Sequence, residues 1–167
     1  MNMKKILAFA LVILAVFCTL NVASAGLFDF LGGESQPATN ETYTFDGFTL
    51  DLPSNTSISN FTLNGSGYSV NTFIVGTPDA SYTVDVTRGS GAVESAEEYA
   101  RNWVNNDGAS LGGTYGNWTI IDLNSAKQDN ETMSGYILAT HDGKTMYEIR
   151  GEDLDALKNI TDTFKKV

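Results

Sequence analysis

The amino-terminal segment constrains the fold more than any other feature of the chain. Lys4 and Lys5 precede an unbroken apolar run at residues 6–20, and the tripeptide Ala23-Ser24-Ala25 follows it. A basic start, a short apolar stretch and a small-residue cleavage motif are typical of a secretory signal peptide. The sequence therefore predicts that residues 1–25 are removed when the protein is exported.

Removal of this segment would leave a chain without cysteine, because the one cysteine, Cys18, lies in the apolar run. An exported domain without disulfides has to be held together by its core, which a chain of this length can bury. We expect a flexible linker with an apolar start at residues 26–42 and one globular domain at residues 43–167. If cleavage fails, the apolar segment is just long enough to anchor the chain in a membrane. This uncleaved segment is the one membrane contact that we expect.

The charge of the chain excludes one class of partner. The sequence has 10 basic and 20 acidic residues, and loss of Lys4 and Lys5 changes the net charge from −10 to 8 − 20 = −12. Nucleic acid repels so acidic a chain, whereas the acidity keeps an exported protein soluble. We expect a monomer that is secreted or held on the extracytoplasmic face of the cell envelope, with an envelope or surface protein as its partner.

The predicted mature chain is rich in acceptor motifs for N-glycosylation. With 12 Asn, and 29 Ser or Thr among 142 residues, chance accounts for about 2.5 Asn-x-Ser/Thr motifs. The sequence contains seven, which favours a glycosylated surface protein. The acceptors are Asn40, Asn55, Asn60, Asn64, Asn117, Asn130 and Asn159.

Hydrophobic periodicity predicts an α+β fold. Period-two patterns indicate six strands, at residues 48–52, 68–75, 81–87, 118–123, 135–141 and 144–150. Ser95 and Glu98 form a capping box before one amphipathic helix, and Asp153 caps another. The sequence thus predicts one domain with a largely antiparallel six-stranded sheet and two helices, in the order βββ-α-βββ-α.

The first predicted strand resembles the opening strand of the PsbP-like family. From Gly47 onward, residues 43–53 (YTFDGFTLDLP) resemble the aromatic-Gly-Phe-x-aliphatic-x-x-Pro strand that begins these domains. The resemblance covers residues 43–167 and implies an α/β/α sandwich around an antiparallel sheet. Most members are accessory or binding proteins, and the family has no shared catalytic motif, so the resemblance implies a non-enzymatic role.

The sequence offers little catalytic chemistry. His141, the only histidine, could form a dyad with a distant serine, but its place beside Asp142-Gly143 favours a turn residue. One histidine and no mature cysteine exclude the usual zinc or copper sites, and neither acidic cluster (residues 129–131 and 152–155) has the spacing of an EF-hand loop. We therefore expect no catalytic residue, no metal and no cofactor. Tyr115 and Trp118, beside a Gly-rich stretch, are the predicted lining of any pocket.

These observations favour an exported, glycosylated, non-catalytic cell-surface domain that binds a protein or another envelope component. An extracytoplasmic carrier of a small ligand is the first alternative, and it requires a cavity of roughly 300 Å³ or more. A hydrolase is the second alternative, and it requires His141 or a carboxylate pair in a cleft.

Overall fold

Antiparallel strands make up most of the fold. The computed structural model describes residues 39–89, 95–128 and 131–167. Its helices are α1 (Ala96–Asp107) and α2 (Leu154–Asp162). The strands of this part of the chain are β1 (Asn40–Thr44), β2 (Phe48–Pro53), β3 (Ser57–Asn64), β4 (Ser69–Gly76), β5 (Ser81–Arg88), β6 (Ser110–Tyr115), β7 (Trp118–Asp122), β8 (Lys127–Gln128), β9 (Glu131–Thr132), β10 (Tyr136–His141), β11 (Thr145–Gly151) and β12 (Lys165–Lys166).

The strands form three sheets. Seven of them make the main sheet, in the order β3-β4-β5-β11-β10-β7-β6, and every pairing between neighbours in it is antiparallel. The β5–β11 pairing joins two hairpins that are distant in the chain, and it places Asp85 opposite Glu148. A second sheet has the order β1-β2-β12, and β8 and β9 form a short ribbon.

The predicted α+β class with two helices and antiparallel strands is confirmed, but the prediction of one six-stranded sheet in the order βββ-α-βββ-α is wrong. Residues 57–64 and 110–115 look like a polar stretch and a Gly-rich loop in the sequence, and they form β3 and β6. The strand β3 is held by eight consecutive pairs with β4 rather than by a buried face of its own. In β6, Gly112 lets the strand lie close to Ile120, because a Cβ at this position would meet Ile120 Cγ2 at 2.5 Å.

Helix α1 covers one face of the main sheet. As predicted, Ser95 caps it: its Oγ accepts a hydrogen bond from the Glu98 amide at 3.1 Å. Gly108 ends the helix in the left-handed conformation, with φ 74°. The buried side chains of Ala100 and Trp103 pack with those of β7, β10 and β11 in one apolar cluster. The apolar stripe of the helix therefore faces the sheet, as its spacing predicts.

Helix α2 and the second sheet cover the other face. Asp153 Oδ1 accepts hydrogen bonds from the first-turn amides of Asp155 and Ala156, at 2.8 and 3.1 Å. The Asp51 amide of β2 donates to Thr163 Oγ1 at 2.9 Å and ties the end of the helix to the second sheet. Phe48 of β2 is fully buried in the larger of the two apolar clusters, between the two sheets.

The predicted signal peptide, Cys18 and most of the predicted linker lie outside the described residues. The first strand begins at Asn40, three residues before the predicted start of the domain. Neither described helix has the length and apolarity that a membrane span requires.

Candidate functional site

A groove of about 910 Å³ lies at one end of the main sheet and is open to solvent. Its walls come from the first turn of α1, the β6–β7 turn, the end of β10 and the end of α2. The lining residues are Ser95, Ala96, Tyr115, Gly116, Asn117, Trp118, Thr140, His141, Thr161, Asp162, Phe164 and Lys166. The structure thus brings together both predicted pocket residues, the only histidine and one predicted glycosylation acceptor.

A tight hairpin places Tyr115 and Trp118 in the groove. These two residues are paired at the ends of β6 and β7, and Gly116 and Asn117 form the two-residue turn between them. Gly116 has φ 55°, which glycine adopts freely at the first position of such a turn. The two aromatic rings are therefore fixed by backbone pairing.

Tyr115 is held in place by charged groups of α2. Its hydroxyl donates a hydrogen bond of 2.8 Å to Asp162 Oδ2, and this bond raises the pKa of Tyr115. Lys158 Nζ lies 5.8 Å from the ring centroid, within the range of a cation–π contact. This half-exposed ring therefore presents a fixed apolar surface with a polar rim.

Lys166 provides a cation on the same side of the groove. Its Nζ lies 3.0 Å from Asp142 Oδ2 and 5.4 Å from the Tyr147 ring centroid. Burial alone would raise the pKa of Asp142, but hydrogen bonds from Lys166 and from the amides of Lys144 and Thr145 lower it to about 2. Asp142 therefore stays ionised above that pH and keeps Lys166 in position.

His141 uses one ring nitrogen to hold the β10–β11 turn. Its Nδ1 accepts a hydrogen bond of 3.0 Å from the Gly143 amide. In the neutral ring the proton must then lie on Nε2, which becomes a donor. Within the described residues no hydrogen bond joins His141 to a serine, so this part of the chain does not contain the dyad considered from the sequence.

Buried aromatic rings form the floor of the groove. Trp118 is only 6% exposed, and its ring contacts that of Phe164 edge to face, at 5.2 Å between centroids. Phe164 also contacts the rings of Phe48 and Tyr147, at 5.0 and 5.3 Å. Trp118 thus supports the groove from below, and Tyr115 is the more accessible of the two predicted pocket residues.

Six of the seven predicted glycosylation acceptors belong to the described residues, and all six are exposed. Asn130 lies outside them. The exposed acceptors are Asn40, Asn55, Asn60, Asn64, Asn117 and Asn159. Exposure is a condition that a glycan requires, and glycosylation itself stays a prediction.

A second cluster of polar side chains lies between α1 and the sheet. Glu148 is buried, with 8% of its surface exposed, and its Oε2 accepts a hydrogen bond of 2.5 Å from the Tyr99 hydroxyl. Asp85 is the cross-strand partner of Glu148, and Arg150 follows two residues later on the same face of β11. Asp85 Oδ1 is buried and has no hydrogen-bond partner among the described residues.

Burial changes the acidity of this pair. Loss of hydration, together with the negative charge of Asp85, raises the pKa of Glu148 to about 8. Loss of hydration also raises the pKa of Asp85 to about 6, although Thr72 and Arg150 oppose the change. When the two carboxyl groups hold one proton between them, their single negative charge balances the positive charge of Arg150. The pair lies away from the groove, so it is not placed as the two carboxyl groups of a hydrolase cleft would be.

The acidic residues near α2 are used in local structure. Asp153 caps the helix, and Asp155 lies 3.0 Å from Lys158 Nζ. Across residues 39–89, 95–128 and 131–167, no three His, Asp or Glu side chains converge as a metal site. Asp129 and Asn130, in the other acidic segment, lie outside these ranges.

Sequence reasoning missed part of the groove and the whole of the carboxyl pair. Asp162 and Lys166 come to Tyr115 and His141 through the packing of α2 and β12, which no local pattern shows. The alternation in β5 places Asp85 on the face of the strand that is not apolar. The sequence could have indicated its burial only through a sign that this second face of the sheet is covered as well. The partner, Glu148, depends on the long-range register of β5 with β11.

Comparisons with protein-family models, with curated proteins and with solved structures found no match to this chain. The resemblance to the PsbP-like family therefore stays a hypothesis that rests on residues 43–53, since the predicted order of elements is wrong.

Proposed function

We propose that this protein is an exported, glycosylated, non-catalytic domain that binds a component of the cell envelope in the groove at the end of its main sheet. The observation that carries the proposal is the groove itself, where Tyr115 stands fixed by Asp162 over a rigid aromatic floor. The domain would act on the extracytoplasmic side, as the predicted signal peptide requires.

The shape of the groove supports a ligand that stays partly in water. Its volume of about 910 Å³ is more than a small ligand requires, but the groove is partly open to solvent. A polymer chain or a protein segment fits such a surface better than a carried small molecule does. The lining combines aromatic surface with donors and acceptors from His141, Asp162 and Lys166, which suits a ligand with both apolar and polar groups.

The geometry of the ionisable groups supports binding rather than catalysis. The Gly143 amide occupies the Nδ1 lone pair of His141, and a general base must present a free lone pair. The paired carboxyl groups, Asp85 and Glu148, lie between α1 and the sheet instead of in the groove. The hydrolase alternative therefore has no support from either group.

Binding of the purified protein to envelopes isolated from the native cells tests the proposal. Tyr115→Ala removes the accessible ring and its hydrogen bond to Asp162, and truncating an anchoring aromatic residue lowers affinity by at least about tenfold. The matched control is Leu111→Ala, since Leu111 is an apolar residue of β6 that is 57% exposed and lies outside the groove. Asn117→Gln should bind at least as well as the unchanged chain, because a glycan on Asn117 would stand at the rim of the groove.

The expected result is saturable binding that Tyr115→Ala weakens and Leu111→Ala leaves unchanged. Equal binding by all three variants would show that the groove is not the contact surface. If no form of the protein binds, the envelope component is not the ligand, and the small-ligand alternative takes its place.

A further inference from the structure

The edge strand β3 is open in a way that the other sheet edges of the described chain are not. It pairs with β4 through eight consecutive residues in an unbroken antiparallel register. In the part of the chain that the structure describes, its other side has no partner strand. The strand contains no proline and no charged residue (SISNFTLN), and Ile58 on it is 37% exposed.

Each of the other edges carries a feature that hinders pairing with another chain. The strand β6 has an irregular register between Leu111 and Gly113, β12 consists of two lysines, and β1 is short and carries Glu41. The two strands of the β8–β9 ribbon have only two residues each. Bulges, edge lysines and short strands are the means by which natural sheets avoid edge-to-edge association. A long, regular and uncharged edge strand such as β3 is expected to associate.

The acceptor motifs are concentrated at this same edge. Asn60 and Asn64 lie on β3, and both are exposed. They are four residues apart, so both side chains project from one face of the strand, about 13 Å from each other. Asn55, in the turn before the strand, is also exposed and has φ 72°, a conformation that asparagine tolerates.

We propose that N-linked glycans on Asn60 and Asn64 shield the open edge of β3, and that without them this strand pairs with β3 of a second copy of the chain. The inference rests on the glycosylation included in the proposed function. Glycans on these side chains would occupy the space that the side chains of an added strand need. In their absence, two copies of β3 can pair antiparallel about a twofold axis, and each then fills the edge of the other.

The test compares glycan occupancy with the oligomeric state. Peptide mapping by mass spectrometry on the protein from native cells shows which acceptors carry a glycan. Light scattering after size exclusion then gives the mass of the unchanged protein, of Asn60→Gln/Asn64→Gln, and of Asn159→Gln, the matched control on α2. Thr62→Ala/Ser66→Ala removes the same two motifs without changing either asparagine, so a folding defect of one variant does not decide the result. Far-UV circular dichroism checks the fold of each variant.

The expected result is occupied acceptors on β3, a monomer for the unchanged chain and for Asn159→Gln, and a concentration-dependent doubling of mass for both double variants. Adding Ser59→Lys, a charge on the exposed edge strand, should restore the monomer. If occupied glycans can be removed from β3 and the protein stays a monomer, the shielding proposal is wrong and the glycosylation stands. If Ser59→Lys leaves the dimer intact, β3 is not the contact. If none of the acceptors carries a glycan, the glycosylation in the proposed function fails, and this inference fails with it.

Discussion

The stability of this fold should fall as the pH rises, because Glu148 is buried beside another carboxyl group. Its pKa rises from 4.5 to about 8, and one pKa unit corresponds to about 1.4 kcal/mol. Ionising Glu148 in the folded chain therefore costs at most about 5 kcal/mol relative to the unfolded chain. That is a large part of the roughly 5–15 kcal/mol by which a typical domain is stable.

The direction of the effect follows from the number of bound protons. Between pH 4.5 and about 8 the folded chain holds the Glu148 proton more firmly than the unfolded chain does. The contribution of this proton to stability is complete below pH 4.5 and is lost as the pH rises through about 8. Asp85 acts in the same direction at lower pH, because burial raises its pKa from 3.8 to about 6.

Glu148→Gln isolates this effect. Glutamine has nearly the same shape and keeps an oxygen to accept the hydrogen bond from Tyr99, but it does not ionise. Urea unfolding at about pH 5 should give similar free energies of unfolding for the variant and the unchanged chain. At about pH 9, the variant should be more stable by roughly 3–5 kcal/mol. Glu152→Gln is the matched control on an exposed residue, and it should follow the unchanged chain at both pH values. If Glu148→Gln and the unchanged chain lose stability equally between these pH values, ionisation of Glu148 is not what destabilises the fold.

Two further predictions concern the local structure of the backbone. Gly135→Ala should destabilise the fold by at least about 2 kcal/mol, because Gly135 has φ 90° and an added Cβ would lie 2.4 Å from the Gly151 carbonyl oxygen. Gly143 has the same φ but open space around it, so Gly143→Ala should cost only about 1 kcal/mol. Equal losses of stability for the two glycine variants in thermal unfolding would contradict the steric argument. Ser95→Ala should cost about 1 kcal/mol in the same assay, because it leaves the Glu98 amide without its cap, and no loss would show that this cap does not stabilise α1.

Local signals in the sequence predict the helices and the hairpin whose ends are fixed by capping or turn residues. The cap at Ser95 and the Gly108 terminus define α1, and Asp153 defines the start of α2. The β10–β11 hairpin turns in the region that the Asp-Gly dipeptide predicts, but its two central residues are Gly143 and Lys144, because Asp142 and Thr145 face each other. In each case residues a few positions apart satisfy the backbone, so a short window contains the information.

The elements and contacts that sequence reasoning missed depend on partners far along the chain. The strand β3 has no alternating apolar face and exists through its pairing with β4, and β2 joins β1 and β12 instead of the main sheet. Tyr115 and Trp118 follow from a local hairpin and were predicted as pocket residues. Asp162, which holds Tyr115, comes from a helix almost fifty residues later. Only the three-dimensional packing brings it to the groove.

Site-specific photocrosslinking in native cells shows directly whether the groove binds the envelope. A photoreactive residue at position 140 places the probe in the lining of the groove and leaves Tyr115 and Asp162 unchanged, and one at position 111 places it on the exposed side of β6, outside the groove. We expect one reproducible crosslinked envelope component from position 140 that position 111 does not give. The same products from both positions, or none from position 140, would contradict the claim that the groove binds the envelope.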